Sequence, residues 1–275
     1  MSNNKHILFQ TSFLRVLIKE WTILLLLTLC AATVFGQKPK AANRNLKNYG
    51  YETDSEGAII KMPDKEKTVY LIFSAHDYGE GGDTIRSALK KNNVKASFFF
   101  TGDFLRNESF VPLIKRLKKD GHYIGSHSDK HLLYADWSKR DSLLVTKEEF
   151  MIDMNHSLAA LSMFGIKKAK WYLPSYEWYN KEVVTWCKER GLSVINFSPG
   201  TGTNADYTTP DMKNYRSSEA LMNNLLKREQ VSGLSGNFIL IHLGTDKKRI
   251  DKFYNHLDEL ILELKKRGYS FKRLR

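Results

Sequence analysis

Lys95-Ala96-Ser97-Phe98-Phe99-Phe100-Thr101, then Phe110-Val111-Pro112-Leu113-Ile114-Lys115-Arg116-Leu117-Lys118-Lys119, Gly121 and Tyr123-Ile124-Gly125-Ser126 form one complete strand–helix–strand unit. The outer pieces are apolar runs of strand length, and the middle piece spaces its apolar residues as an amphipathic helix does. Gly121 stands just past the helix, where a left-handed residue commonly ends it. The alternation continues outward in both directions. Strands are expected over residues 68–73, 95–101, 123–126, 171–174, 193–197, 237–243 and 270–274. Helices are expected over 83–91, 110–119, 146–164, 181–190, 217–229 and 251–267. Repeated strand–helix units imply an α/β domain on a parallel sheet of about seven strands, closed into a barrel or left open.

In either architecture functional groups gather at the C-terminal ends of strands. The unusual polar residues obey that rule. His76 and Asp77 follow the first strand, His127 ends the third, Tyr176 follows the fourth, Asp206 lies after the fifth and His242 is at the end of the sixth. Residues 37–66 are polar, lack periodicity and read as a linker or N-terminal extension. Ahead of them, Lys5, Arg15 and Lys19 precede an apolar run from Trp21 to Phe35, followed by Gly36. This is the pattern of a secretory signal peptide over residues 1–36, shorter than a comfortable membrane span. Cleavage after Gly36 yields an exported domain, periplasmic, envelope-associated or extracellular, with no stable membrane insertion. Retention as an anchor and lipidation of Cys30 are the rivals. The exported chain keeps one cysteine, Cys187, read as a buried filler, so no intrachain disulfide is expected.

The formal net charge is +13. The basic residues are spread along helical runs such as Lys115-Arg116-Leu117-Lys118-Lys119 and Lys265-Lys266-Arg267, which read as solvated helix faces. Nucleic acid is therefore not an expected partner. Attraction to an acidic polymer or an anionic envelope surface fits the same charge.

His127-Ser128-Asp129-Lys130-His131 carries two imidazoles four residues apart. They can converge on one ion if the chain curls after the strand, and neutral nitrogen donors suit zinc, cobalt or nickel. The spacing alone does not separate ligands from ordinary core or surface histidines. The flanking stretch Asp120-Gly121-His122-Tyr123-Ile124-Gly125-Ser126 adds a second observation. With His-Ser/Thr-x-x-His it resembles the second motif of the NodB-like polysaccharide deacetylases, carbohydrate esterase family four. Asn93-Val94-Lys95-Ala96-Ser97-Phe98-Phe99-Phe100-Thr101-Gly102 is similar to that family's second strand, and Leu240-Ile241-His242 resembles its last motif. The resemblance spans residues 67–275 with the motifs in the family's order. It implies a distorted (β/α) barrel, a divalent metal and hydrolysis of N- or O-linked acetyl groups on a poly- or oligosaccharide.

Two motifs depart from the family's pattern. Its first motif, Thr-Phe-Asp-Asp, carries a base and a metal ligand, whereas this strand runs Ile72-Phe73-Ser74-Ala75-His76-Asp77. Direct register puts Ser74 and Ala75 at the two aspartates. A two-residue slip puts His76 at the base and Asp77 in an Asp77–His127–His131 metal triad, with a ligand role as the rival for His76. The family's Arg-Pro-Pro-Tyr-Gly reads Leu173-Pro174-Ser175-Tyr176-Glu177, so the arginine that orients the base is absent together with its carboxylate. The resemblance implies that the Tyr176 backbone N–H faces the oxyanion. It also implies that Asp206, in Asp206-Tyr207, holds His242 protonated as the general acid.

Tyr176, Trp178 and Tyr207 are expected to bind the glycan through their flat faces. Tyr134, Trp137 and Tyr179 belong to the same cluster, while Trp171 and Tyr172 read as core. His122 reads as structural, and His156 and His256 carry no assigned chemistry. A catalytically silent carbohydrate-binding domain of the same fold is the alternative, and the missing aspartate pair and arginine are its support.

Overall fold

The computed structural model describes residues 50–64 and 66–275. The expected signal peptide and cleavage site, Cys30 and the first part of the expected linker lie outside the described residues. No described helix is long and apolar enough to cross a membrane.

Seven strands make one sheet: β3 (Thr68–Ala75), β4 (Ser97–Phe100), β5 (Tyr123–Ser126), β6 (Trp171–Tyr172), β7 (Ser193–Val194), β8 (Phe238–His242) and β9 (Ser270–Phe271). Their order is β7-β6-β5-β4-β3-β8, with β9 also paired to β3. Every pairing is parallel. This is the expected distorted (β/α) barrel. Helices cover its outside, so β3 is buried along its whole length.

Alternation sorts the apolar residues into two layers. Leu71, Phe73, Phe98, Phe100 and Ile241 face the helices. Tyr70, Ile72, Phe99, Trp171, Leu173, Ile195, Phe238, Leu240 and Leu274 fill the interior. Phe73 stacks on Phe98 with ring centroids 4.9 Å apart. The helix Lys147–Met163 starts at a complete capping box formed by Thr146 and Glu149. Cys187 is buried in the helix Lys181–Glu189, where burial pushes its thiol up and keeps it inert.

Part of the expected linker belongs to the barrel. Glu52–Thr53 (β1) pairs with Ile59–Lys61 (β2) in a small antiparallel ladder, and Ala58, Ile59 and Ile60 are buried. Strand β2 also spans the gap between the two edge strands. Ile59 bridges Ile195 on one side and Lys61 bridges Asn237 on the other. Asn196 N–H donates to the Ile59 carbonyl at 3.0 Å, and Met62 N–H to the Gly236 carbonyl at 2.9 Å. Strands of two and three residues are too short to show a period, which is why this stretch reads as irregular. Two helices also differ from expectation. The five-residue helix Gly102–Arg106 has no pattern to detect. The expected helix over 251–267 divides into a 3₁₀ turn, Phe253–His256, and the helix Leu257–Lys266.

If β2 closes the barrel, Ile59→Ala is expected to lower unfolding free energy by about 2–5 kcal/mol, as for a fully buried aliphatic residue. Urea denaturation measures this, and a solvated linker would show no change.

Candidate active site

The histidine-bearing stretch leaves β5 and curls at once, because polar groups on neighbouring elements capture its backbone. Asp129 N–H and Lys130 N–H each donate to one oxygen of the buried Asp153 carboxylate, both at 2.8 Å. Ser128 Oγ accepts the His131 N–H at 2.7 Å. Gly102 N–H and Asp103 N–H donate to the Ser128 and Asp129 carbonyls. The Asp129 carboxylate takes both Arg106 terminal nitrogens, at 2.7 and 2.9 Å. Gly102 is required here, since a Cβ would lie 1.7 Å from Asp129 Oδ1. Ser128 and His131 adopt left-handed φ values of 70° and 54°.

The result is convergence. His127 Nε2 and His131 Nε2 face each other at 3.2 Å. His127 Nδ1–H donates to the Leu173 carbonyl at 2.9 Å, which leaves the Nε2 lone pair directed at His131. Burial, then neighbouring histidines, holds His131 near a pKa of about 2; burial holds His127 near about 3. Both rings are neutral, the form that binds metal.

His76 stacks flat on His131, with centroids 4.6 Å apart and planes 9° off parallel. Its Nδ1 lies 3.3 Å from Thr101 Oγ1, and its Nε2 lies 3.3 Å from Asp77 Oδ1. Thr101 Oγ1 already accepts the Phe104 N–H, so its proton is free for His76 Nδ1. The Asp77 side chain is 68% exposed, and its ion-pair contact is with His76. Ser74, which direct register aligns with an aspartate, sits in β3 opposite His242, its buried hydroxyl without a partner.

Across the cleft, His242 Nδ1 lies 2.6 Å from Asp206 Oδ1, and His242 N–H donates to Asp206 Oδ2 at 3.0 Å. Burial works against the imidazolium, but the charge and hydrogen bond of Asp206 outweigh it and raise the pKa of His242. The Tyr207 ring stands edge-on to His242 at 5.5 Å.

Glu177 is the residue that the sequence reading passed over. Its side chain is 12% exposed, and Oε1 lies 3.9 Å from His127 Nε2. That oxygen has no hydrogen-bond partner. Burial pushes the Glu177 carboxyl up to about 7. With His127 neutral, the contact is not an ion pair. Its sequence signal is a charged residue between buried Leu173 and buried Tyr179. Among the described residues, no three His, Cys, Asp or Glu side chains yet form a group that could hold a metal ion. The donor types nevertheless suit a divalent cation: two neutral imidazoles and one unpartnered carboxylate.

Aromatic rings line one side. Tyr176, 45% exposed, packs against His131 at 4.3 Å and edge-on to Trp137, which is 58% exposed. Trp137 stacks on Trp178, and the Arg140 guanidinium lies 4.2 Å from the Trp178 ring centroid. Tyr179, Trp171, Tyr172 and Tyr134 are buried and present no face to a ligand. Tyr179 instead donates to Asp54 Oδ2 at 2.6 Å. His122 is buried and accepts the Ala96 N–H at 3.2 Å, a structural role.

A family model described as polysaccharide deacetylase matches residues 61–195. The peptidoglycan-N-acetylmuramic acid deacetylase PdaA of Bacillus subtilis is 26% identical over 212 residues, covering 76% of this chain and 70% of PdaA. The uncharacterized B. subtilis protein YlxY is 27% identical over 208 residues, covering 76% of this chain but 56% of YlxY. Among solved structures, a CE4 family pseudoenzyme from Bacillus anthracis superposes with a TM-score of 0.63 at 19% identity. That match covers 80% of this chain and 68% of the pseudoenzyme.

Two outcomes follow from the geometry. Asp153→Ala strands the buried Asp129 N–H, at about 1–3 kcal/mol, and the part-buried Lys130 N–H at a smaller cost, read by urea unfolding. The second concerns pH. The folded-state pKa of His131 lies below its ordinary 6.5, so its stabilising contribution is present above pH 6.5 and is lost as pH falls toward 2. Glu177 is shifted the opposite way, and its contribution is lost as pH rises from 4.5 through about 7. Metal-free chain should therefore lose more stability between pH 7 and 4 than His131→Gln does. Equal losses in paired urea titrations would show that the imidazole is not held neutral.

Proposed function

Since the chain is a divergent NodB-like member of the polysaccharide deacetylase family, we propose that it removes acetyl groups from an exported poly- or oligosaccharide with the help of a divalent metal. The observation that carries this reading is the pair of Nε2 atoms 3.2 Å apart on one wall of the cleft, opposite the His242–Asp206 pair. Peptidoglycan is the substrate of the relative PdaA, and a cell-wall glycan is the substrate proposed here. Export through residues 1–36 belongs to the same proposal.

His127 and His131 hold the metal, zinc or alternatively cobalt or nickel, together with a carboxylate for which the slipped register offers Asp77. When bound, the ion supplies Lewis acidity for attack of water on the acetyl carbonyl. His76 takes the proton from the attacking water on Nε2, which requires Asp77 to leave its 3.3 Å contact with that nitrogen while Thr101 holds Nδ1. The Tyr176 backbone N–H supports the oxyanion. Asp206 fixes the proton on His242 Nδ1 and favours the imidazolium, so that Nε2–H protonates the leaving amine or alkoxide. Tyr176, Trp178 and Tyr207 hold the sugar rings, with Trp137 extending the platform. An ester needs less leaving-group protonation than an amide.

A silent glycan-binding domain is the second reading. It is favoured by Ser74 and Ala75, which offer no carboxylate at the end of β3. Acetate release from acetylated chito-oligosaccharides, peptidoglycan and acetylated xylan separates the two. Chelation should abolish release and added Zn²⁺ or Co²⁺ should restore it. His242→Ala should lower turnover by about 10²–10⁴, more for amides than for esters. Glycan binding without release under any metal would establish the silent reading.

A further inference from the structure

We propose that Glu177 is the carboxylate ligand that joins His127 and His131 in the metal site. This rests on the reading above that the two imidazoles hold a divalent cation, and it replaces Asp77 in the ligand set.

The first argument is elimination among the carboxylates near the imidazoles. Asp153 receives two backbone N–H groups, one on each oxygen. Asp129 is closed by Arg106. Both oxygens of Asp206 are engaged by His242. Asp77 faces solvent, with His76 as its imidazole partner. Glu177 remains, with Oε1 buried, without a hydrogen bond and 3.9 Å from His127 Nε2. That is the same nitrogen that meets His131 Nε2 at 3.2 Å. Leaving a carboxylate oxygen in this state is unfavourable, and such groups in folded proteins call for an explanation such as an ion or a catalytic role.

The second argument is backbone geometry. Tyr176 and Glu177 are consecutive residues at φ 58° and 52°. Glycine reaches that region without a steric cost, whereas other residues are strained there. The chain holds a large acidic residue in a left-handed conformation, and the strained turn brings its carboxylate to His127 Nε2, the nitrogen that faces His131. Strain and an unpartnered buried oxygen in one residue point to function. Two neutral nitrogens and one carboxylate are also the donor set of an open catalytic zinc site.

The test uses the full chain, stripped of metal and titrated with Zn²⁺ by competition and with Co²⁺ by visible absorption. Glu177→Gln keeps the size of the side chain and removes its charge. It should weaken Zn²⁺ binding by more than the roughly 100-fold typical of losing an outer-shell partner and should change the Co²⁺ spectrum. Asp77→Asn should bind as the parent does. Glu177→Gly should raise the thermal midpoint of the metal-free chain, since strain is relieved, while binding metal no better than Glu177→Gln. Parent-like affinity in Glu177→Gln, or its loss in Asp77→Asn instead, overturns the proposal and leaves the deacetylase reading standing. A parent that takes up neither ion removes the metal site and this proposal with it. Glu177-dependent metal binding without acetate release would uphold the ligand and refute the activity.

Discussion

The grip of Asp153 on the backbone after β5 is the constraint from which the site follows. Two N–H groups on one carboxylate define where Asp129 and Lys130 lie, and Ser128 Oγ then turns the chain so that His131 doubles back on His127. Imidazole convergence is thus a property of the backbone and its hydrogen bonds. If these imidazoles take the ion proposed above, their positions are already set, and less of its binding energy would go into ordering them. Asp153 lies on the helix Lys147–Met163, whose first turn is closed by its own capping box. The geometry of the histidines therefore traces back to a helix start some distance away.

Burial acts on the histidines in opposite senses because their partners differ. His127 has a carbonyl at Nδ1 that favours the charged ring, but desolvation outweighs it and keeps the ring neutral. His242 is also desolvated, yet Asp206 holds its Nδ1 and its backbone together. The site thereby sets two neutral imidazoles near one whose charged form Asp206 favours. Groups of the same type whose environments push their pKa values apart are the pattern from which acid and ligand roles are told apart.

Much of this was legible in the sequence, and the reasons for the exceptions are physical. Strand β5 was read over residues 123–126, where it is found, because a short apolar run lies between Gly121 and a polar stretch. The helices after β3, β4 and β6 were placed to within a residue or two at each end, since their apolar spacing is clear and a glycine or cap marks the terminus. Strands β1 and β2 were lost because two or three residues cannot display a period of two. The pairing of Asp206 with His242 was expected from motif order. The resting position of Asp77 against His76 was not, because it depends on how the chain leaves β3. Glu177 was passed over for a related reason: although it stands where the family's motif has glycine, a large acidic side chain there does not itself announce that it folds inward.

Strand β2 has a kinetic side as well. It occurs early in the chain, but its partners Ile195 and Asn237 occur late. Contacts of such long sequence separation require the loss of much chain entropy before they give anything back, and they slow folding. The same cost falls on the β3–β8 and β3–β9 pairings, which span as much chain, so closing the ring at β2 is one of several long-range steps. Until then β2 and the free edges of β7 and β8 present unpaired backbone, the part of the chain most open to mispairing. Conditions that delay β8 prolong that interval without altering the final structure.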